Sequence, residues 1–269
     1  MIVSPPMGYN DEDTYIAAPS LFAVRLQMRF DGTELAVATG FITGAGAGPL
    51  LITARHNLTG RDQETGKCIS DHGGTPNEVV IWHNGIEPFT FIDRVEPLYD
   101  DDVPRWVEHP TLGAKADFVA LPLTQLEGVS FDHTVFPFMP LMFRLAPAEP
   151  VSVIGYPFGV TGAGDLGIWT TGFIATEIDL DYGDLPRFLI DARTRKGQSG
   201  SPVLAYRTGF TRMRRGEMVE QKLPAWDILG IYSGRIRDDS DIGVVWKISA
   251  IAELIKAIAA RKTEAADHQ

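Results

Sequence analysis

KGQSGSPV, Lys196 to Val203, sets a serine between glycine-rich neighbours and runs directly into a small apolar strand. Two readings compete. Glycine accepts φ > 0 at little cost and serine bonds its own backbone, so the stretch can be no more than a turn. Alternatively, Ser199 is a nucleophile held on that turn. A serine nucleophile needs an imidazole to take its proton and a buried carboxylate to hold that imidazole in the right tautomer. The choice depends on whether the chain supplies both, and in what order.

There are six histidines: His56, His72, His83, His109, His133 and His268. Only His268 follows Ser199, in the terminal stretch TEAADHQ, which reads as a frayed tail. An α/β hydrolase places its base after the serine and a glycine at the fifth position of the nucleophile motif. Here the fifth position is Ser201, so that fold is set aside. His56 ends the apolar strand of LLITARHNL, beside a turn, where a side chain is rigidly placed. Asp117 opens the apolar strand of KADFVALPL, where water is partly excluded. The resulting order, His56, Asp117, Ser199, is that of the triad in chymotrypsin-type β-barrels.

The rest of the chain reads as strands and turns. It has 269 residues, 44% of them hydrophobic, with 18 prolines and 27 glycines and few long periodic segments. In LFAVRLQMRF, Val24, Leu26, Met28 and Phe30 alternate with Arg25, Gln27 and Arg29, the period of a half-buried strand. Asp31-Gly32 marks a turn and Leu35 to Thr43 the return strand. Gly44 to Pro49 leads into a strand, not a helix, and is read as a tight turn, not a phosphate-binding loop. Further strands are expected at 79–82, 89–95 and 118–121, then at 151–155, 168–178, 187–192, 202–206, 228–233 and 244–248. Only ISAIAELIKAIAARK has helical spacing, with Ile248, Ile251, Leu254, Ile255 and Ile258 on one stripe. The expected organisation is an N-terminal extension (1–20), a first β lobe (21–136), a linker (137–150), a second β lobe with the helix (151–262) and a tail (263–269). No internal repeat is visible.

A net charge of −11 argues against nucleic acid or an anionic membrane as partner. Cys68 is the only cysteine, so neither an intrachain disulfide nor a cysteine metal cluster can form. Asp100 to Asp102, and Asp238, Asp239 and Asp241, lack the spacing of a calcium loop and read as solvated turns, so no metal and no cofactor is expected. No basic residue precedes Arg25, so the N-terminus does not read as a signal peptide. The expected location is the bacterial cytoplasm for a complete chain, and secretion if a leader has been removed. His109 reads as a surface loop residue, and the basic run Arg207 to Lys222 as an exposed hairpin or loop.

LLITARH, ADFVALPL and GQSGSPV, in that order, resemble the three signature blocks of the trypsin/chymotrypsin-like serine peptidases. The GxSGSPV form and the preceding Gly155-Tyr156-Pro157 are most similar to the bacterial, glutamyl-endopeptidase-like branch. The resemblance spans Leu21 to the terminal helix. It implies an all-β fold of two six-stranded antiparallel β-barrels, an active-site cleft between them and a C-terminal α-helix. Ser199 would attack the scissile carbonyl, His56 would act as general base and then acid, and Asp117 would orient it. Backbone N–H groups of Gly197 and Ser199 would form the oxyanion hole.

Thr53 and Ser233 match family positions that hydrogen-bond the buried aspartate, though both also read as ordinary strand hydroxyls. Arg193, Thr194, Tyr232 and Arg235 would line the pocket for the residue before the cut. An arginine beside a partly dry pocket favours a carboxylate. Tyr232, however, stands where the glutamyl endopeptidases carry histidine, and turned inward it would select small residues instead. Gln198 replaces the aspartate that captures a new N-terminal ammonium in the digestive members. A neutral amide offers no countercharge, so the oxyanion hole is expected to be held by packing and hydrogen bonds. The implied function is a serine endopeptidase acting on protein or peptide substrates, with room for a regulatory protein partner. A peptidase-like module that binds peptides without cutting them, and an esterase with the same acyl-enzyme chemistry, remain alternatives.

Overall fold

The computed structural model describes residues 10–11, 14–44, 48–70, 73–87, 90–131 and 141–267. His72, His133 and His268 lie outside them, as do residues 45–47 of the expected Gly44–Pro49 turn and 137–140 of the expected linker. The first lobe contains β1 (Ala23–Phe30), β2 (Thr33–Thr43), β3 (Leu50–Thr53), β4 (Glu78–Asn84), β5 (Phe91–Pro97) and β6 (Val119–Pro122). They pair antiparallel in the order β6-β3-β2-β1-β4-β5. The second lobe contains β7 (Pro150–Gly155), β8 (Ile168–Ile174), β9 (Arg187–Asp191), β10 (Pro202–Arg212), β11 (Met218–Arg235) and β12 (Ile242–Lys247). Their order is β7-β8-β9-β12-β11-β10, and β7 pairs back onto β10 to close the ring.

Local sequence explains these elements. Val24, Leu26 and Met28 are buried along β1 while Arg25, Gln27 and Arg29 are half-buried, as the alternation requires. Phe30, at the strand end, is exposed. Asp31 and Gly32 turn the chain with φ of 46° and 77°, two left-handed residues in succession, as in a hairpin turn matched to strand twist. Helix α2 (Ile248–Asp267) buries Ile251, Leu254, Ile255 and Ile258, the apolar stripe of its sequence. Those side chains join Phe22, Phe41, Phe118, Ile154, Ile231 and Trp246 in a cluster shared by both lobes. At ~1.5–3 kcal/mol for each large apolar side chain buried, this cluster joins the lobes into one unit.

One expectation needs correction, and three others gain detail. His109 is buried: its Nδ1 accepts from the N–H groups of Thr111 and Leu112, its ring stands edge-on to Phe118, and its Nε2 lies 3.5 Å from Glu253 of α2. The covering helix is remote in sequence, which is why VEHP reads as surface. Residues 141–145, expected to be linker, are packed: Asp227 accepts hydrogen bonds from the N–H groups of Met142 (2.7 Å) and Phe143 (2.6 Å). The basic run is, as expected, an exposed hairpin, formed by β10 and β11, and its end is anchored by Arg144 N–H to Arg212 O and Arg214 N–H to Met142 O. The N-terminal extension is also part of the fold from Ala18, which is buried with Leu21 and Phe22.

Candidate active site

Thr53 of β3 pairs with Val119 of β6, so the two strands leave the sheet side by side. His56 comes three residues after Thr53 and Asp117 two before Val119, which places both at the same end of neighbouring antiparallel strands. Helix α1 (Arg55–Thr59) carries His56 and stops at Gly60, whose φ of 63° is the left-handed cap of a helix end. Asp117 is buried. Its Oδ2 lies 2.7 Å from His56 Nδ1 and its Oδ1 accepts from the His56 backbone N–H at 3.0 Å. Ser233 Oγ, from the second lobe, donates to the same Oδ2. This arrangement puts the proton on Nδ1 and leaves Nε2 as the basic nitrogen. Burial by itself depresses the imidazole pKa. The Asp117 charge and hydrogen bond, with a smaller push from Asp62, overcome it and hold His56 above its ordinary value.

The turn before β10 is fixed peptide by peptide. Lys196 C=O accepts from Phe158 N–H (2.6 Å) and Gly197 C=O from Thr39 Oγ1 (2.7 Å). Gln198 C=O accepts from Ser201 N–H (3.0 Å), and Ser199 C=O from Thr39 N–H (3.1 Å) and Asn57 Nδ2 (3.0 Å). The N–H groups of Gln198 and Gly200 donate to Arg195 O (3.1 Å) and Tyr232 O (2.8 Å). In a trans peptide the C=O and N–H point in opposite directions. The Gly197 N–H therefore points away from Phe158, and the Ser199 N–H away from Ser201. Among the described residues, these two are the N–H groups of residues 197–201 that donate to no backbone acceptor. Gly197, at φ 94°, has no alternative: a Cβ there would sit 2.4 Å from Tyr156 O. Phe158 itself holds φ 56°, a strained value for an aromatic residue, while its N–H fixes Lys196 C=O.

Gln198 is fully buried. Its Oε1 accepts from Arg195 N–H (2.8 Å) and its Nε2 donates to Thr170 Oγ1 (2.9 Å). The neutral side chain thus finds neutral partners. Thr53 does not donate to Asp117: its single hydroxyl proton goes to Thr39 O at 2.8 Å. Thr194 Oγ1 and Tyr232 OH lie 2.5 Å apart, both buried. Burial pushes the Tyr232 phenol up to about 12, against the opposing effects of the Thr194 bond and of Arg235 and Arg195. Arg235 faces Asp238 at 3.8 Å and Arg193 is exposed. Sequence reading missed Thr39, Asn57, Phe158, Thr170 and Arg195. Most act through contacts between distant segments, so nothing in their local sequence marks them.

Among the described residues, no three His, Cys, Asp or Glu side chains converge as a metal site. No described helix is long and apolar enough to cross a membrane. The sequence model for the trypsin-like peptidase domain matches residues 38–210. No curated protein matches the chain. In fold, it is similar to the serine endoprotease from Yersinia pestis, with a TM-score of 0.51 and 14% identity, covering 90% of this chain and 64% of that one. It is also similar to the thermostable serine protease AL20 from an extremophilic microorganism, with a TM-score of 0.51 and 14% identity, covering 89% of this chain and 98% of that one. At such identities the likeness is one of fold. The chain spans less than two thirds of the Yersinia pestis enzyme.

Proposed function

The chain belongs to the trypsin-like peptidase family, the serine-protease hydrolases, and we propose that it cleaves peptide bonds through a triad of Ser199, His56 and Asp117. Ser199 Oγ attacks the scissile carbonyl while His56 Nε2 takes the hydroxyl proton. The imidazolium that forms is stabilised by Asp117, whose carboxylate is already bonded to Nδ1. The carbonyl oxygen becomes an oxyanion and accepts from the Gly197 and Ser199 N–H groups, worth ~3–4 kcal/mol per donor in enzymes of this type. His56 then protonates the leaving amine, and water repeats the sequence on the acyl-enzyme.

One observation carries this reading. Every carbonyl from Lys196 to Ser199 is held, and the two unused amides of the turn are those an oxyanion would need.

The residue accepted before the cut is acidic in this proposal. In this reading the buried Thr194 and Tyr232 hydroxyls, now paired with each other, give up that bond for a substrate carboxylate, and Arg235, which already acts on the Tyr232 phenol, favours the negative charge. A peptide library treated with the wild type and with Ser199→Ala tests both levels. Cuts after Asp or Glu, absent with Ser199→Ala, are expected. Cuts after small residues would mean that Tyr232 shortens the pocket, and cuts after Lys or Arg would refute the pocket assignment. Hydrolysis of small esters alone would favour an esterase. Peptide binding without any cut would favour a binding module.

A further inference from the structure

His56 and Asn57 sit side by side on α1, and their side chains leave it for different partners. His56 turns to Asp117. Asn57 is buried, and its amide nitrogen donates to Thr53 Oγ1 and to Ser199 C=O, each at 3.0 Å. A primary amide has two N–H donors, so both are committed. The Ser199 carbonyl has two lone pairs, and with Thr39 N–H it has a donor for each. Its peptide is held from the other side by Gly200 N–H to Tyr232 O. The Thr39 bonds reach this turn from β2, whereas the Asn57 bond comes from the residue next to the base. Among the described residues, no other hydrogen bond to the turn starts so near the imidazole along the chain.

We propose that Asn57 is a positioning residue that sets the separation of base and nucleophile across the two lobes. This rests on the reading of Ser199 and His56 as nucleophile and base. Proton transfer needs the two groups within hydrogen-bond reach, and a misplacement of ~1 Å can cost ~10²-fold in rate. Removing the Asn57 donors leaves the Ser199 carbonyl with Thr39 alone. The nucleophile then drifts relative to α1 without loss of the turn itself.

The test is the rate of labelling by a fluorophosphonate and, separately, the fraction of molecules labelled at completion, both read by intact mass. Wild type, Asn57→Ala and Asn57→Asp are compared on the alkaline plateau, where a change in His56 protonation does not enter. The expected result is complete labelling in each variant at a rate lowered about ten- to a hundredfold. A merely structural role would lower the completed fraction and leave the rate of the folded molecules unchanged, and that result overturns the proposal. Asn57→Asp keeps the side-chain size without its donors and decides the matter if Asn57→Ala does not unfold cooperatively. Failure of both to fold would make Asn57 a core residue and also overturn it. An unlabelled wild type would overturn the triad reading first. A labelled wild type with undiminished rates in both variants would overturn this proposal alone.

Discussion

The two lobes thread six strands along the same path but finish it differently. In the second, the fifth and sixth strands, β11 and β12, pair and complete the ring. In the first, the equivalent strands β5 and β6 form no ladder among the described residues. A fully buried carboxylate takes over there. Glu96 of β5 accepts from the N–H groups of Thr124 (2.5 Å) and Gln125 (2.6 Å), just beyond β6, from Thr124 Oγ1 (2.9 Å) and from Arg105 Nη1 (3.2 Å).

The contrast matches what each lobe would contribute to the proposed site. In that proposal the first lobe supplies only side chains, His56 and Asp117, which can settle by rotamer. The second supplies, besides the Ser199 and Ser233 hydroxyls, two backbone N–H groups that cannot be re-aimed without moving the chain. A closed ladder with every peptide of the turn held suits that requirement.

The largest effect is expected where the lobes share a group. Asp117 is bonded by His56 from the first lobe and by Ser233 from the second. Asp117→Asn should lower kcat by ~10⁴ on any cleaved peptide while the protein stays folded, because the amide favours the wrong imidazole tautomer. A loss below tenfold would show that the carboxylate is not orienting the base.

Glu96→Gln tests the open lobe. It leaves Arg105 and the Thr124 region without their buried acceptor charge, and should cost ~3–5 kcal/mol, or roughly 10 °C in Tm. Denaturant unfolding would read this directly. A change under about 1 kcal/mol would mean that the carboxylate does not hold the lobe shut.

On the closed side, Gln198→Ala leaves Arg195 N–H without its acceptor and Thr170 Oγ1 without its donor. With ~1–3 kcal/mol at stake per unsatisfied buried group, kcat should fall at least tenfold, with KM little changed. An unchanged kcat would show that the turn is held without the buried amide.

The smallest effect concerns pH. His56 must be neutral to act as base, and its pKa is raised above 6.5, so the acid limb of kcat/KM should lie above pH 6.5. Asp117→Asn should bring that limb down. The sign for stability is opposite to that for activity. A raised pKa in the fold adds stability below the unfolded value of ~6.5, lost as pH rises through the folded value. A wild-type limb at or below 6.5 would contradict the Asp117 effect.

Much of this was legible because it is local. The strand alternation of Val24 to Met28, the Asp31-Gly32 turn and the stripe of α2 each follow from neighbouring residues. The order of the His56, Asp117 and Ser199 blocks pointed to the two-lobed family. What could not be read depends on contacts between remote segments. Nothing in VEHP shows that α2 will cover His109, and nothing in ITARHN shows that Asn57 will meet Ser199 while Thr53 faces Thr39. The pair of six-stranded lobes came with the family resemblance, but how each lobe closes was invisible for a similar reason. Topology is repeated while the residues that close each lobe are not: a β-ladder in one, Glu96 in the other.

If Ser199 is a nucleophile activated by His56, a fluorophosphonate adduct located by peptide mass in the wild type and in His56→Ala will reveal it. One adduct is expected, on Ser199, with its formation slowed at least ~10³-fold by His56→Ala. An adduct on any other residue, or labelling of Ser199 at the same rate without the imidazole, would contradict that role.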